Sequence, residues 1–312
     1  YEDRKMKGGE DQMKALFQRV SSWQTLKDFM NFYKSSEMSL SSIAVAYYLL
    51  LSIFPLLLIF ANILPFLNLD IDMILDVLHD QIPDQIYDMS VGFIRNVLEN
   101  PNTGLLSISV LAGFWTFSRA LATLQMAMNK AYEVSEHRDF ILSRIIGLVV
   151  GLGLMVMLSL TILISTFGQV ILTYVHENLF AFDDRLYRTL QTATLPVVII
   201  VVLISLILLY FVLPNVKIHK LRYIMPGTIF STLVLVALPH FFGAYLSRAL
   251  GQMRDFKLVG SLLIFGLMIW FIFIAKVIII GAVFNATYQK KSFGQIETRR
   301  GEIVAFIKEI RK

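Results

Sequence analysis

Two basic side chains stand inside stretches that are otherwise apolar enough to lie in lipid: Arg119 in GFWTFSRALATLQMAMNK (113–130) and Lys276 in IWFIFIAKVIIIG (269–281). A guanidinium stays charged at any physiological pH, so in hydrocarbon it needs water, an anion or several carbonyl oxygens. Both groups are cations, and the apolar spans contain no carboxylate to answer them. The matching ligand is therefore negative: a lipid phosphate, an isoprenoid phosphate or a small organic anion. Arg119 lies eleven residues from Lys130, about 16 Å along a helix, which is deep for a stem that would have to reach the interface. Two readings stand for it: the anion-binding group of a polar cavity, or a structural arginine that snorkels or binds carbonyls.

Such a cavity needs polar faces on neighbouring helices. At 100° per residue, Ser41, Val45, Tyr48, Ser52, Pro55, Ile59 and Asn62 share one face of the first apolar stretch. Trp115, Ser118, Arg119, Ala122, Met126 and Asn129 share an arc of about 100° on the second. Thr228, Ser231, Thr232 and Pro239 gather on a later one, with His240 on its flank. The predicted site is Arg119 lined by Tyr48, Ser52, Trp115, Ser118 and Asn129. Hydroxyl stripes alone would equally suit a dry bundle stitched by hydrogen bonds. Lys276 and His240 are secondary candidates. The face around Lys276 is apolar and predicts a lysine snorkelling along lipid, and His240 beside Pro239 reads as a structural histidine in preference to a proton relay.

The elements that must hold these residues follow from hydropathy. Of 312 residues, 56% are apolar and only 16% charged, with a mean hydropathy of +0.66, far from the balance of ordinary globular domains. Six windows supply the roughly 20 apolar residues that cross a bilayer: 42–66, 104–128, 145–174, 192–214, 223–246 and 258–288. The predicted fold is an all-α integral membrane protein with six transmembrane helices spanning 39–290, an N-terminal segment 1–38 and a basic tail 291–312. Twenty of the Lys and Arg lie on the side of the two ends and six in the opposite loops, so the bias of positive charge toward the cytoplasm places both termini there. No removable signal segment is expected. The net charge of +5 fits loops near anionic headgroups, and no nucleic-acid partner is expected.

Outside the spans two segments carry helical period. Leu16, Val20, Trp23, Phe29 and Tyr33 recur among Lys14, Arg19 and Lys27, as suits an amphipathic helix lying on the inner leaflet or one packed on the bundle. In the outer loop 67–103, Ile71, Ile74, Leu78, Ile82, Ile86, Phe93 and Val97 alternate with acidic residues around Pro83. They predict two short helices with a solvated acidic face and no calcium-loop spacing.

Several motifs together resemble the YihY/virulence factor BrkB family: AVAYYLLLSIFPLLL, the run from Trp115 through Ser118, Arg119 and Asn129 to AYEVSEHRDF, Leu213-Pro214-Asn215, Pro226-Gly227, and GAVFNA at 281–286. The likeness covers most of residues 38–290. It implies a six-helix protein of the bacterial cytoplasmic membrane, of a group historically labelled ribonuclease BN and associated with serum resistance. The chain has Val259-Gly260 and Val283 where many members have a Tyr-Gly pair and an acidic residue. Nuclease chemistry would need clustered His and carboxylates, yet His79, His137, His176, His219 and His240 are scattered, no Gly-Lys phosphate loop occurs, and the absence of cysteine excludes thiolate sites. No catalytic residue, metal or cofactor is expected. Membrane lipids, anionic ones first, are the expected partners, and self-association is compatible. A transporter or flippase for an anionic amphiphile and a non-transporting envelope scaffold are the competing functions, and buried charge discriminates between them.

Overall fold

The computed structural model describes residues 23–63, 71–72, 75–76, 79, 84–99, 102–134, 147, 149–151, 153, 156–157, 184–251 and 256–299. Its elements are α1 (residues 23–35), α2 (Met38–Ile63), α3 (Asp84–Glu99), α4 (Thr103–Ala131), α5 (Asp184–Val212), a 3₁₀ turn (Leu221–Tyr223), α6 (Met225–Gly251) and α7 (Phe256–Phe293). Among the described residues there is no strand, only an isolated antiparallel bridge between Val216 and Thr298. Among the described residues five helices are long and apolar enough to cross a membrane: Met38–Ile59, Thr103–Ala131, Leu195–Val212, Met225–Gly243 and Ile264–Phe293. They correspond to five of the six predicted spans. The other, 145–174, lies almost wholly outside the described residues, as do 1–22, 300–312, most of the outer loop before Asp84, and His137 and His176.

Helix α7 is the hub, packing on α2, α6 and α4, while α2 and α4 form the most extensive pair and α5 lies against α6. The α2–α4 contact depends on Gly113. A Cβ there would come within 3.2 Å of Pro55 Cβ and 3.3 Å of Ile59 Cδ1, so the glycine lets the two backbones approach, as small residues do between helices in lipid. At one end of this pair Asn62 Oδ1 accepts the Asn102 N–H at 2.9 Å, and Asn102 Oδ1 caps α4 by accepting the Leu105 N–H at 3.0 Å, satisfying a donor that the first helical turn leaves open.

At the other end α1 is docked on the bundle. Phe32 is buried, Phe29 lies 5.2 Å from Phe284 between ring centroids, and Asp28 pairs with Lys290 at 2.9 Å. The turn from α1 to α2 has Glu37 at φ 44°, and the exit from α4 has Glu133 at φ 53°, a left-handed conformation that costs non-glycine residues about 1–2 kcal/mol. Each is held by the other's element: Glu37 accepts from Lys130 Nζ at 2.6 Å and Glu133 from Ser35 Oγ at 2.8 Å. Of the two readings of the N-terminal segment, packing on the bundle is what residues 23–35 show.

Candidate functional site

The predicted site residues divide between two environments. On α4 the buried face is Ser109, Gly113, Thr116, Ala120, Leu121, Leu124, Gln125, Met128 and Asn129. Trp115 and Arg119 stand outside it, exposed, on a stripe with Ile108, Leu111 and Met126. The guanidinium carbon of Arg119 lies 5.8 Å from the Trp115 ring centroid, a cation–π contact one helical turn apart. Ser118 and Tyr48 are half-buried, the latter in edge contact with Tyr47 at 5.3 Å. Ser52 is buried and donates to the Leu49 carbonyl at 2.7 Å, which closes it on its own helix. Asn129 is buried and faces another partner altogether. The six residues do not converge on one enclosed cavity. Arg119 and Trp115 form an outward pair, while Ser52 and Asn129 belong to the interior.

The outward pair lies near mid-span. Arg119 is about 24 Å from the start of α4 and about 18 Å from its end by the helical rise. Among the described residues no carboxylate pairs with it, and the segments that qualify as spans contain no Asp or Glu. Lys276 on α7 is half-buried between buried Ala275 and Val277, with exposed Phe273 and Ile269 one and two turns toward the N-terminus and buried Ile279 and Val283 toward the C-terminus. The His240 side chain lies outside the described residues.

The interior polar group that sequence reasoning did not assemble sits where α4, α5, α6 and α7 meet near the docked α1. Gln125 Nε2 donates to the Leu213 carbonyl at 2.9 Å, and Asn129 Oδ1 accepts the Asn215 N–H at 2.8 Å. Asn285 Oδ1 accepts the Gly227 N–H at 2.7 Å, and Gln289 Nε2 donates to the Lys217 carbonyl at 3.1 Å. These amides terminate the backbone groups freed where α5 ends and α6 begins, which a low-dielectric interior would otherwise leave costly. One turn deeper, the Tyr210 hydroxyl donates to the Ile278 carbonyl at 2.8 Å and shares a 2.7 Å hydrogen bond with Ser231. The segment after α7 closes this junction: Lys217 N–H donates to the Glu297 carbonyl, Arg299 N–H to the Asn215 carbonyl, and the Arg299 guanidinium to the Phe211 carbonyl at 3.0 Å. A cation on the last carbonyls of α5 also answers the helix dipole. The available sequence signal was that Asn129, the Leu-Pro-Asn run, Pro226-Gly227 and GAVFNA each bring one partner to this junction. Val283 is wholly buried in the apolar cluster.

Tyr132, just past the end of α4, is buried, and among the described residues its hydroxyl has no hydrogen-bond partner. Burial, and secondarily the nearby Tyr210, pushes the Tyr132 phenol above its ordinary value near 10. A raised folded-state value means that this group's contribution is intact below about pH 10 and is lost as pH rises beyond it. Tyr132→Phe should therefore melt no lower than the parent at pH 7, with a gain of up to about 1 kcal/mol from removing an unpaired hydroxyl, and should lose stability less steeply above pH 10. Thermal unfolding in detergent at pH 7 and at pH 10 to 11 checks both, and a lower melting point at pH 7 would refute the unpaired hydroxyl.

Among the described residues no three His, Cys, Asp or Glu gather as a metal site would require. A family model described as virulence factor BrkB matches residues 30–302. A protein of Bacillus subtilis (strain 168), named ribonuclease-like protein YfkH, is 28% identical over 268 residues, covering 85% of this chain and 95% of its own length. No solved structure matches the chain.

Proposed function

Since the chain belongs to the virulence factor BrkB family, a family match that spans its multi-pass helical region, we propose that it acts as a transporter or flippase for an anionic lipid or related anionic amphiphile of the cell envelope, in the cytoplasmic membrane and with both termini in the cytoplasm. The observation that carries the reading is Arg119: a fixed cation near mid-span, exposed on the outer face of α4 and backed by Trp115. A scaffold gains nothing from a charge there, which costs several kcal/mol in hydrocarbon unless an anion, water or carbonyls receive it. An anionic headgroup travelling along α4 would supply the anion, and the Trp115 ring would hold the guanidinium outstretched toward it. The junction of buried amides would then serve as the rigid end against which α4 is held.

The reading assigns no hydrolytic chemistry to the chain. The name of the Bacillus relative describes that protein. Here the described histidines lie against aromatic rings, His79 at 4.6 Å from Tyr87 and His219 at 4.4 Å from Phe293.

The test is movement of lipid. Full-length protein reconstituted into phosphatidylcholine vesicles carrying a little headgroup-labelled fluorescent phosphatidylglycerol should let externally added dithionite bleach the inner-leaflet probe several-fold faster than in protein-free vesicles. Equal rates would leave the scaffold reading standing and the transport reading without support.

A further inference from the structure

Helix α1 has three sectors, and only one of them is accounted for by the bundle. Taking 100° per residue, Phe29 and Phe32 fall within about 60° of arc and face the protein, where Phe32 is buried and Phe29 meets Phe284. Trp23, Leu26, Met30 and Tyr33 fall within about 80° of arc and are all exposed, Trp23 by 61%. Exposed Gln24 and Asn31 mark a third, polar direction. Between the apolar and the polar sectors stand Lys27 and Lys34, both exposed, with the Lys27 ammonium 5.5 Å from the Trp23 ring centroid.

This is the arrangement of a helix lying along a membrane surface, with its apolar stripe in the acyl boundary, its polar stripe in water and its lysines at headgroup level. The acidic side chains nearby are turned the other way: Asp28 is taken by Lys290 and Glu37 by Lys130. The lipid-side charge of the helix is thereby positive. The apolar stripe also continues into the start of α2, where Leu40, Ile43 and Tyr47 are exposed on a helix that spans the membrane. From these placements we infer that the Trp23–Leu26–Met30–Tyr33 face of α1 is an interfacial anchor seated in the leaflet at this end of the bundle, with Lys27 and Lys34 binding the headgroups of anionic phospholipids. Because the opposite face is bonded to α7 through Asp28–Lys290 and the turn after α1 to α4 through Glu37–Lys130, the anchor ties the ends of both helices to the lipid surface.

The chain contains no cysteine, so single-cysteine labelling needs no prior substitution. Full-length Met30→Cys and Asn31→Cys, each with an environment-sensitive fluorophore, would be placed in phosphatidylcholine nanodiscs containing phosphatidylglycerol. The Met30 label should be quenched several-fold less by iodide than the Asn31 label, and more by brominated lipid. Quenching of the Met30 label by brominated phosphatidylglycerol should exceed that by brominated phosphatidylcholine, and Lys27→Gln with Lys34→Gln should remove that preference, by roughly fivefold for each lysine. Equal iodide quenching at the two positions would overturn the anchor, and so would a Met30 label shielded from both iodide and lipid, which would mean that a protein surface covers the stripe. A label in lipid whose headgroup preference survives loss of both lysines would overturn the anionic contact.

Discussion

Replacing Gly227 by alanine should leave little folded protein in detergent, while the same change at Gly266 should pass unnoticed. Gly227 sits in the first turn of α6, where its N–H donates to Asn285 Oδ1 on α7 at 2.7 Å. A Cβ at this position would overlap the Gly281 carbonyl oxygen, stand 2.6 Å from the Gly281 carbonyl carbon and 2.7 Å from Asn285 Cγ. The obstacle is backbone, so no rotamer change relieves it, and α6 must move off α7. Overpacking of this kind costs about 1–3 kcal/mol, and stretching the Asn285 bond in a buried site adds about 1–3 kcal/mol more. Against a typical stability of about 5–15 kcal/mol the sum can abolish the fold. Among the described residues a Cβ at Gly266 meets nothing closer than Phe242 Cζ at 3.9 Å, which makes it a matched glycine-in-helix control. Detergent-solubilised yield and thermal unfolding would report the contrast. A Gly227→Ala protein that melts within a degree or two of the parent would show that α6 and α7 do not approach as described. Gly281 gives a second handle, since its Cβ would meet the Tyr210 hydroxyl and lie 2.8 Å from Tyr210 Cζ. There Tyr210→Phe should recover part of the loss caused by Gly281→Ala, a coupling of the kind expected only for residues in contact.

That junction shows how far sequence reasoning reached. On the face of α2 drawn from its period, Ser41, Val45, Ser52 and Asn62 are buried and Tyr48, Pro55 and Ile59 half-buried, as suits hydroxyl and amide groups satisfied between packed helices. Thr228, Ser231 and Thr232 on α6 are buried for the same reason. The period was less informative on α4. Trp115, Ser118, Arg119 and Asn129 all count as polar, yet Trp and Arg carry apolar bodies that tolerate lipid at one end and a polar group at the other. A polarity stripe therefore merged an outward Arg–Trp pair with an inward asparagine. What separates them is the position of Gly113 against Pro55, which sets the rotation of α4 and is invisible without the partner helix. Gln125, buried on that face, bonds a carbonyl 88 residues away. Pairings at such separation are not encoded in local period, although an amide within an apolar run is itself a sign that a backbone group elsewhere needs an ending. The α1 helix was ambiguous in sequence because its period carries two apolar faces, and only the burial of Phe32 and the pairing of Asp28 with Lys290 tell the packed face from the exposed one.

The exposure of Arg119 makes its role separable from the fold. An exposed side chain away from caps and ion pairs usually changes stability by no more than about 0.5 kcal/mol when replaced, so Arg119→Gln should insert and melt like the parent. Its effect should fall on the ligand. If the guanidinium holds an anionic headgroup, glutamine keeps much of the stem and one hydrogen-bonding end but removes the fixed charge, losing about 1.5–3 kcal/mol, a roughly ten- to hundredfold weaker affinity. Arg119→Lys should restore part of this, because an ammonium keeps the charge and loses the planar fork. Trp115→Ala should cost less than the loss of charge, about two- to fivefold, the value of a cation–π contact that positions the group without binding the ligand itself. Lys276→Gln should do little, since its half-buried, apolar setting on α7 fits a stem packed along hydrocarbon. Titration of detergent-solubilised full-length protein with fluorescent phosphatidylglycerol, against phosphatidylcholine bearing the same fluorophore, would rank the four variants. Weakest binding by Arg119→Gln, intermediate binding by Trp115→Ala and Arg119→Lys, and parental binding by Lys276→Gln together form the signature of charge at one mid-membrane point. Binding by Arg119→Gln equal to the parent would instead make the arginine a structural group satisfied by water or carbonyls, and the proposal of an anionic substrate on α4 would fall with it.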